Sequence, residues 1–355
     1  MRRFFCFLFL LGYIGLSAQV PVSYYQSAQN QHGYALRVAL HQIIKIHTEQ
    51  TYSGLWTAFY TTDMRSDGKV WDIYSDNPDG QTPYLYDFGS DQCGNYSSEG
   101  DCYNREHSVP KSWFNGATPM YTDLFHIYPT DGWVNNKRGN LPFGEVGNAS
   151  WTSLNGSKVG SSSVSGYSGQ VFEPIDAYKG DLARSFLYMT VCYMDKNFSY
   201  EPSMFEGGSL KPWALQMLVR WCDEDPVSQK EIDRNNAIYA IQHNRNPFID
   251  FPELVHMIYG NDTLQPFVTN LTDYALTHCT VYPNPASDYV HVSITDPNSP
   301  VICTLMSITG QMLWHADFPA EVETLNIPLQ ELPSGMYLLH LQDGSYSIMR
   351  KIVKR

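Results

Sequence analysis

Apolar and polar positions along the chain divide it into a helix-rich stretch and a short-strand stretch. In residues 28–50, Leu36, Val38, Leu40, Ile43, Ile44 and Ile46 recur near the period of an amphipathic helix. Residues 55–74 carry more aromatics and predict a helix end followed by a strand at 69–74. Residues 75–100, dense in Gly, Asp, Ser and Tyr, predict a long ordered loop. Residues 104–109 are extended, with Pro110 biasing the preceding residue towards β. Residues 123–128 have the β-branched and aromatic content of a second strand, and a short helix opens at Thr130. The Gly/Ser-rich run 150–170 reads as an exposed excursion. Helices follow at 179–194, 211–222 and 231–243, the last ended by Asn244-Arg245-Asn246-Pro247. Asp250 then resembles an N-cap, with Glu253 three residues later completing a capping box.

After Tyr282-Pro283-Asn284-Pro285 the period changes to two. Alternating runs at 289–294, 301–306, 324–327 and 336–341 are punctuated by Thr309-Gly310, Ser334-Gly335 and Asp343-Gly344. The fold class is therefore α+β: a mixed, helix-rich domain at 20–277, then a small all-β sandwich at 278–355. Residues 1–19 form a signal peptide, with Arg2 and Arg3, an apolar run 4–16 and the small-residue end Ser17-Ala18-Gln19. That run is shorter than the ~20 residues of a membrane helix. No integral membrane span is expected, and the mature protein is secreted or held at the cell surface.

Export changes the meaning of the cysteines. Beyond Cys6 there are Cys93, Cys102, Cys192, Cys222, Cys279 and Cys303. An even set in an oxidising compartment predicts disulfides. Cys93 with Cys102 is the simplest pair, because its short loop directly precedes Glu106. No zinc-site spacing is present. The formal charge of −13 becomes −15 once Arg2 and Arg3 leave with the signal. A polyanion is repelled by such a surface, although screening limits the effect beyond a Debye length of ~8 Å. Tight processive binding to nucleic acid is disfavoured; cleavage through local cations is not.

The candidate chemistry lies between Asn104 and Asn140. Glu106 and His107 sit on the first strand and Asn135 on the helix, in the order strand, strand, helix. A neutral imidazole can take a proton from water. A carboxylate and an amide carbonyl can hold one hard divalent cation beside a phosphate. The group therefore suits phosphodiester hydrolysis: His107 as general base, Glu106 and Asn135 as metal ligands, and Arg138, one turn beyond Asn135, as a phosphate contact. An isolated Glu-His pair also fits an exposed acid beside a hydrogen-bonded histidine. His126 is a competing base or ligand, although its alternation with Phe125 and Ile127 favours a structural role. Arg184 and Arg245 are further candidates for substrate contact, with buried ion pairs as the alternative.

REHSVPKSWF followed by DLFHIYPTDGWVNNKRGN resembles the bacterial endonuclease I family of His-Me finger nucleases. The resemblance extends over about residues 30–262 through KVWDIYSD, FEPIDAYKGDLAR and HNRNPFIDFPELV. It implies a ββα-metal finger with His107 as base and Glu106 and Asn135 on the metal, expected to be Mg²⁺ with Mn²⁺ or Ca²⁺ as alternatives. It also implies cleavage of DNA, and often of RNA too, with little sequence preference, to 5′-phosphates; the protein is expected to be a monomer. Asn136 stands where the family usually has a small residue, commonly Gly. VYPNPASDYVHV, MSITGQML, LPSGMYLLHL and the basic end KIVKR resemble the C-terminal sorting domain of the type IX secretion system, which implies that machinery as a partner. The competing functional readings are a phosphodiesterase for small or lipid-linked substrates and a non-enzymatic surface module.

Overall fold

The computed structural model describes residues 20–21, 23–196, 198, 203–206, 209–268, 279–294, 301–308, 310–319, 324–343 and 346–355. The expected signal peptide at 1–19 and the expected boundary at 277/278 lie outside these residues. The chain forms two compact units, Met1–Phe267 and Val268–Arg355.

The first unit carries α1 (Gly33–Ile44), α2 (Gly54–Thr62), β1 (Tyr103–His107), β2 (Ile127–Asp131) and α3 (Gly132–Arg138). Next come β3 (Val146–Thr152), β4 (Lys158–Ser162), β5 (Gln170–Glu173) and α4 (Lys179–Cys192). A short hairpin, β6 (Phe205–Glu206) with β7 (Ser209–Leu210), precedes α5 (Pro212–Glu224), α6 (Gln229–Gln242), α7 (Pro247–Asp250) and α8 (Leu254–Tyr259). Every residue of α4 is buried, so this helix is the core around which the others pack. Trp113 and Phe114 are buried in the same core.

Several local expectations give way to tertiary structure. Residues 69–74 form no strand; a single bridge joins Met64 to Val70. The run 123–128 opens as a 3-10 turn, with Asp123 accepting from Phe125 N, and becomes β2 only at Ile127. Residues 150–170 are only partly exposed, with Ser153, Asn155, Ser157, Gly160 and Val164 buried, and β3, β4 and β5 cross them as an antiparallel sheet held by its backbone ladder. The capping box is Ser228 with Glu231, not Asp250 with Glu253. Asp250 instead accepts the Arg245 fork together with Tyr25 and Asn235. Cys93–Cys102 is a disulfide, but Cys192 and Cys222 remain thiols.

The second unit has one sheet ordered β12-β9-β8 and another ordered β11-β10-β13-β14, all antiparallel. These strands are β8 (Cys279–Tyr282), β9 (Tyr289–Ile294), β10 (Val301–Ser307), β11 (Met312–Phe318), β12 (Thr324–Pro328), β13 (Gly335–Asp343) and β14 (Tyr346–Lys354). Val290, Val292, Leu325 and Ile327 from one sheet share a core with Val301, Cys303, Leu305, Leu339 and Leu341 from the other. The alternation read from sequence is the inside–outside alternation of this sandwich. No described helix is long and apolar enough to cross a membrane.

What positions the candidate site is the β1–β2–α3 unit. β1 and β2 pair antiparallel, with Glu106 opposite Tyr128 and His107 opposite Ile127. Asp131 ends β2 and caps α3 by accepting from Val134 N at 2.7 Å. Gly139 closes the helix at φ 55°, ψ −123°, a conformation open essentially to glycine. Arg138, fully buried, donates to the carbonyls of His107 (2.8 Å), Ser108 (2.6 Å) and Leu141 (3.1 Å) and to Glu106 Oε1 (2.6 Å). One side chain thus joins the end of α3 to β1. Arg138→Met should destabilise the protein by about 3–5 kcal/mol, because Glu106 would be left buried without its cation; urea unfolding measures it.

His126, fully buried, donates Nε2–H to the Met120 carbonyl at 2.6 Å. Burial pushes its pKa down to about 4. The unfolded chain, with the ordinary value near 6.5, takes the proton first. His126 therefore contributes stability that is complete above pH 6.5 and is lost as pH falls towards 4, at up to about 1.4 kcal/mol per pH unit. Thermal melts should show a smaller stability loss between pH 6.5 and 4.5 in His126→Gln than in the parent protein.

Candidate active site

A cavity of about 530 Å³ opens over β1 and the end of α3. Glu106, His107 and Asn135 all line it, together with Asn104, Arg105, Lys111, Tyr52 and Trp56. The three residues assigned from sequence to the reaction therefore meet at one surface. Their 28-residue separation is closed by the β1–β2 pairing and by α3 folding back on it.

The His107 ring is oriented by one hydrogen bond and one stack. Its Nε2 lies 3.1 Å from the Tyr121 carbonyl, which can only accept, so Nε2 carries the proton and Nδ1 keeps its lone pair. The ring lies parallel to Tyr121, with centroids 5.2 Å apart and planes at 19°. Burial, reinforced by neighbouring His126, lowers its pKa to about 3, so the imidazole is neutral at physiological pH. Glu106 is pushed in the opposite direction. Burial raises its pKa, while the Arg138 guanidinium and Tyr74 hydroxyl partly offset that rise. Tyr74 donates at 2.8 Å and Arg138 at 2.6 Å, both to Oε1.

Asn135 Nδ2 donates to Asn104 Oδ1 at 2.7 Å. This fixes the amide so that its carbonyl oxygen is the free end. Asn104 is a site residue that sequence reasoning left without a role. Strand alternation could have found it, since Asn104 and Glu106 are two apart on β1 and share a face. Tyr74 is the part played here by KVWDIYSD: it comes from a distant loop to hold the carboxylate.

Three arginines proposed as phosphate contacts do other work. Arg138 is fully buried, and each of its guanidinium nitrogens donates to protein oxygen, so it steadies Glu106 rather than reaching into the cavity. Arg184 forms a two-pronged pair with Glu231, at 2.6 and 2.7 Å, and joins α4 to α6. Arg245 forms another with Asp250, at 2.7 Å on both prongs. Both are 1% exposed, and neither lines the cavity over β1. The carboxylate-facing fork of each is spent on the fold, and Arg245 Nη1 is enclosed without an acceptor. His126 is in the core, not in the cavity.

A second cluster, His47, Asp123 and Cys192, brings three potential metal-ligating atoms within 4.8 Å of one another. Asp123 already accepts from Tyr188, Tyr193, Gln242 and Phe125 N. Its lone pairs are committed to a buried hydrogen-bond network, which is how a core carboxylate is satisfied.

Comparison with known proteins gives the family. Residues 32–253 match the Endonuclease I family and residues 280–355 the secretion system C-terminal sorting domain. An extracellular ribonuclease of Bacillus amyloliquefaciens is 36% identical over 244 residues, 67% of this chain and 78% of that protein. One from Bacillus subtilis (strain 168) is 34% identical over 246 residues, with the same two shares. Endonuclease-1 of Buchnera aphidicola subsp. Baizongia pistaciae is 27% identical over 128 residues, 36% of this chain and 46% of that protein. The non-enzymatic reading is thereby overturned. With a sorting domain at its end and an endonuclease domain built around β1, β2 and α3, the chain is a secreted or cell-surface nuclease belonging to the endonuclease I family.

Proposed function

We propose that this nuclease hydrolyses phosphodiester bonds in both RNA and DNA, with little sequence preference and 5′-phosphate products, using His107 as general base. The observation that carries the reading is the His107 ring, held by the Tyr121 carbonyl with its Nδ1 lone pair available in a cavity shared with Glu106 and Asn135. The resemblance to extracellular ribonucleases supports RNA as one substrate. Asn104, Arg105, Lys111, Asn135 and Asn140 line the cavity with polar groups suited to the phosphodiester backbone that every sequence shares, which supports weak sequence preference.

Glu106 and Asn135 fit a hard divalent cation, for which Mg²⁺ is our assignment. Arg138 and Tyr74 converge on Glu106 Oε1, so Oε2 is the oxygen available to a cation. Asn104 holds the Asn135 amino group, which frees the carbonyl. Two oxygen donors beside open volume suit an ion that keeps several waters. When bound, such a cation supplies charge neutralisation at phosphate and eases ionisation of the attacking water. The residues themselves do the rest. His107 Nδ1 accepts a proton from water, and burial favours the neutral form of the ring. Tyr121 keeps the ring from turning, and Arg138 keeps the Glu106 carboxylate in place.

His107→Ala should lower the rate on plasmid DNA and on RNA by roughly 10²–10⁴-fold, and EDTA should abolish the parent activity. A variant that cuts as fast as the parent would exclude His107 as the base. Intact plasmid and RNA alongside cleavage of a small phosphodiester would favour the small-substrate reading instead. Asn104→Ala should weaken metal affinity by roughly 10–100-fold through loss of Asn135 orientation, and Mn²⁺ titration calorimetry reads that directly.

A further inference from the structure

With Arg138, Arg184 and Arg245 committed to the fold, an acidic chain still has to hold a polyanion. Among the described residues lining the cavity, Arg105 and Lys111 are the cationic side chains. Lys111 is exposed. Arg105 is half-buried and held rigidly. Its guanidinium lies 3.5 Å from the Tyr52 ring centroid and 4.3 Å from that of Trp56. Nη1 donates to the Tyr52 carbonyl at 2.6 Å, while the buried Nε–H has no acceptor. Packing of this kind fixes the plane of the guanidinium before any ligand arrives, and with Nε enclosed and Nη1 on the Tyr52 carbonyl it leaves Nη2 to the cavity. An arginine so placed suits an oxyanion, which a phosphate supplies.

Its position decides which phosphate. Arg105 and His107 alternate along β1 and face the same side, roughly 6.6 Å apart for two residues of strand. Tyr52 links them, since its ring lies over the Arg105 guanidinium and also runs parallel to the His107 ring, 6.2 Å away at 19°. Arg105 is thus displaced along the strand from the base, on the side away from Pro110. The offset matches the step from one phosphate to the next along an extended single strand better than two contacts on one phosphate.

We propose that Arg105 is a substrate-binding residue that grips the phosphate next to the one being cleaved, giving the enzyme its preference for polymeric nucleic acid over single phosphodiesters. Tyr52 and Trp56 are the positioning residues for its fork. The proposal rests on the reading of His107 as the base.

The experiment compares the parent protein with Arg105→Met, which keeps the aliphatic stem over the two rings, and Arg105→Lys, which keeps the charge without the fork. Initial rates are measured on single-stranded oligonucleotides across a salt series and on bis(p-nitrophenyl) phosphate, which has no neighbouring phosphate. Arg105→Met should raise KM on the oligonucleotide about tenfold or more, as loss of a charged hydrogen bond does, with little change in kcat. Its slope of log(kcat/KM) against log[salt] should flatten by about 0.7, the value for one phosphate contact on a single strand. The preference for oligonucleotide over bis(p-nitrophenyl) phosphate should fall in proportion, and Arg105→Lys should lie between the two. An unchanged preference and salt slope in folded Arg105→Met would overturn the proposal. So would a fall in kcat alone, which would move the contact to the reacting phosphate. Should Arg105→Met not fold, the same comparison on Arg105→Lys decides. Failure of the underlying reading is separate, because it would show as full activity in His107→Ala whatever Arg105 does.

Discussion

The buried pair between Arg138 and Glu106 is the contact on which the site depends. A carboxylate 3% exposed, beside an apolar core, is costly unless a cation and hydrogen bonds compensate it. Arg138 supplies both, and because it comes from the last turn of α3 it fastens the helix to the strand that carries Glu106 and His107. The distance between the helix and the strand is therefore set by an ion pair whose loss would expose neither group to water. Tyr74 completes the arrangement from a loop some thirty residues upstream.

The same economy explains how an acidic chain can act on a polyanion. Two cationic side chains line the cavity among the described residues, and the one held in place is fixed by aromatic rings rather than by carboxylates. A guanidinium stacked on Tyr52 and Trp56 keeps its charge available, whereas Arg184 and Arg245 are neutralised by Glu231 and Asp250. The difference lies in the partner. An aromatic face orients a cation without cancelling its field at long range, while a two-pronged carboxylate cancels it.

Residues around the buried histidines follow a related logic. His107 and His126 both give Nε2–H to a backbone carbonyl and both are kept neutral by burial. They differ in where the second nitrogen goes. Nδ1 of His126 is enclosed without a partner, and His107 faces the cavity. One ring fills the core and the other can do chemistry: His126 ends the 3-10 turn that precedes β2, whereas His107 ends β1.

The order strand, strand, helix, the type of each residue at the centre and the two-residue alternation of the C-terminal sandwich were all legible along the chain, because they are local. Period and turn chemistry need only neighbouring residues, and Glu106, His107 and Asn135 announce themselves by type and order. The strand expected at 69–74 failed because its backbone is recruited into a loop that delivers Tyr74 to Glu106. The candidate arginines could not be sorted either. Arg138, Arg184 and Arg245 were all candidates for phosphate contact, and burial depends on what the rest of the chain brings against each of them. Asn104 and Tyr52 were silent for the same reason: one matters through a side-chain partner 31 residues away and the other through rings stacked across the cavity. Sequence alone determined the chemical groups and the local elements that carry them. Tertiary structure alone decided which charges were spent on folding and which were left to meet a substrate, since desolvation and pairing are properties of the assembled core.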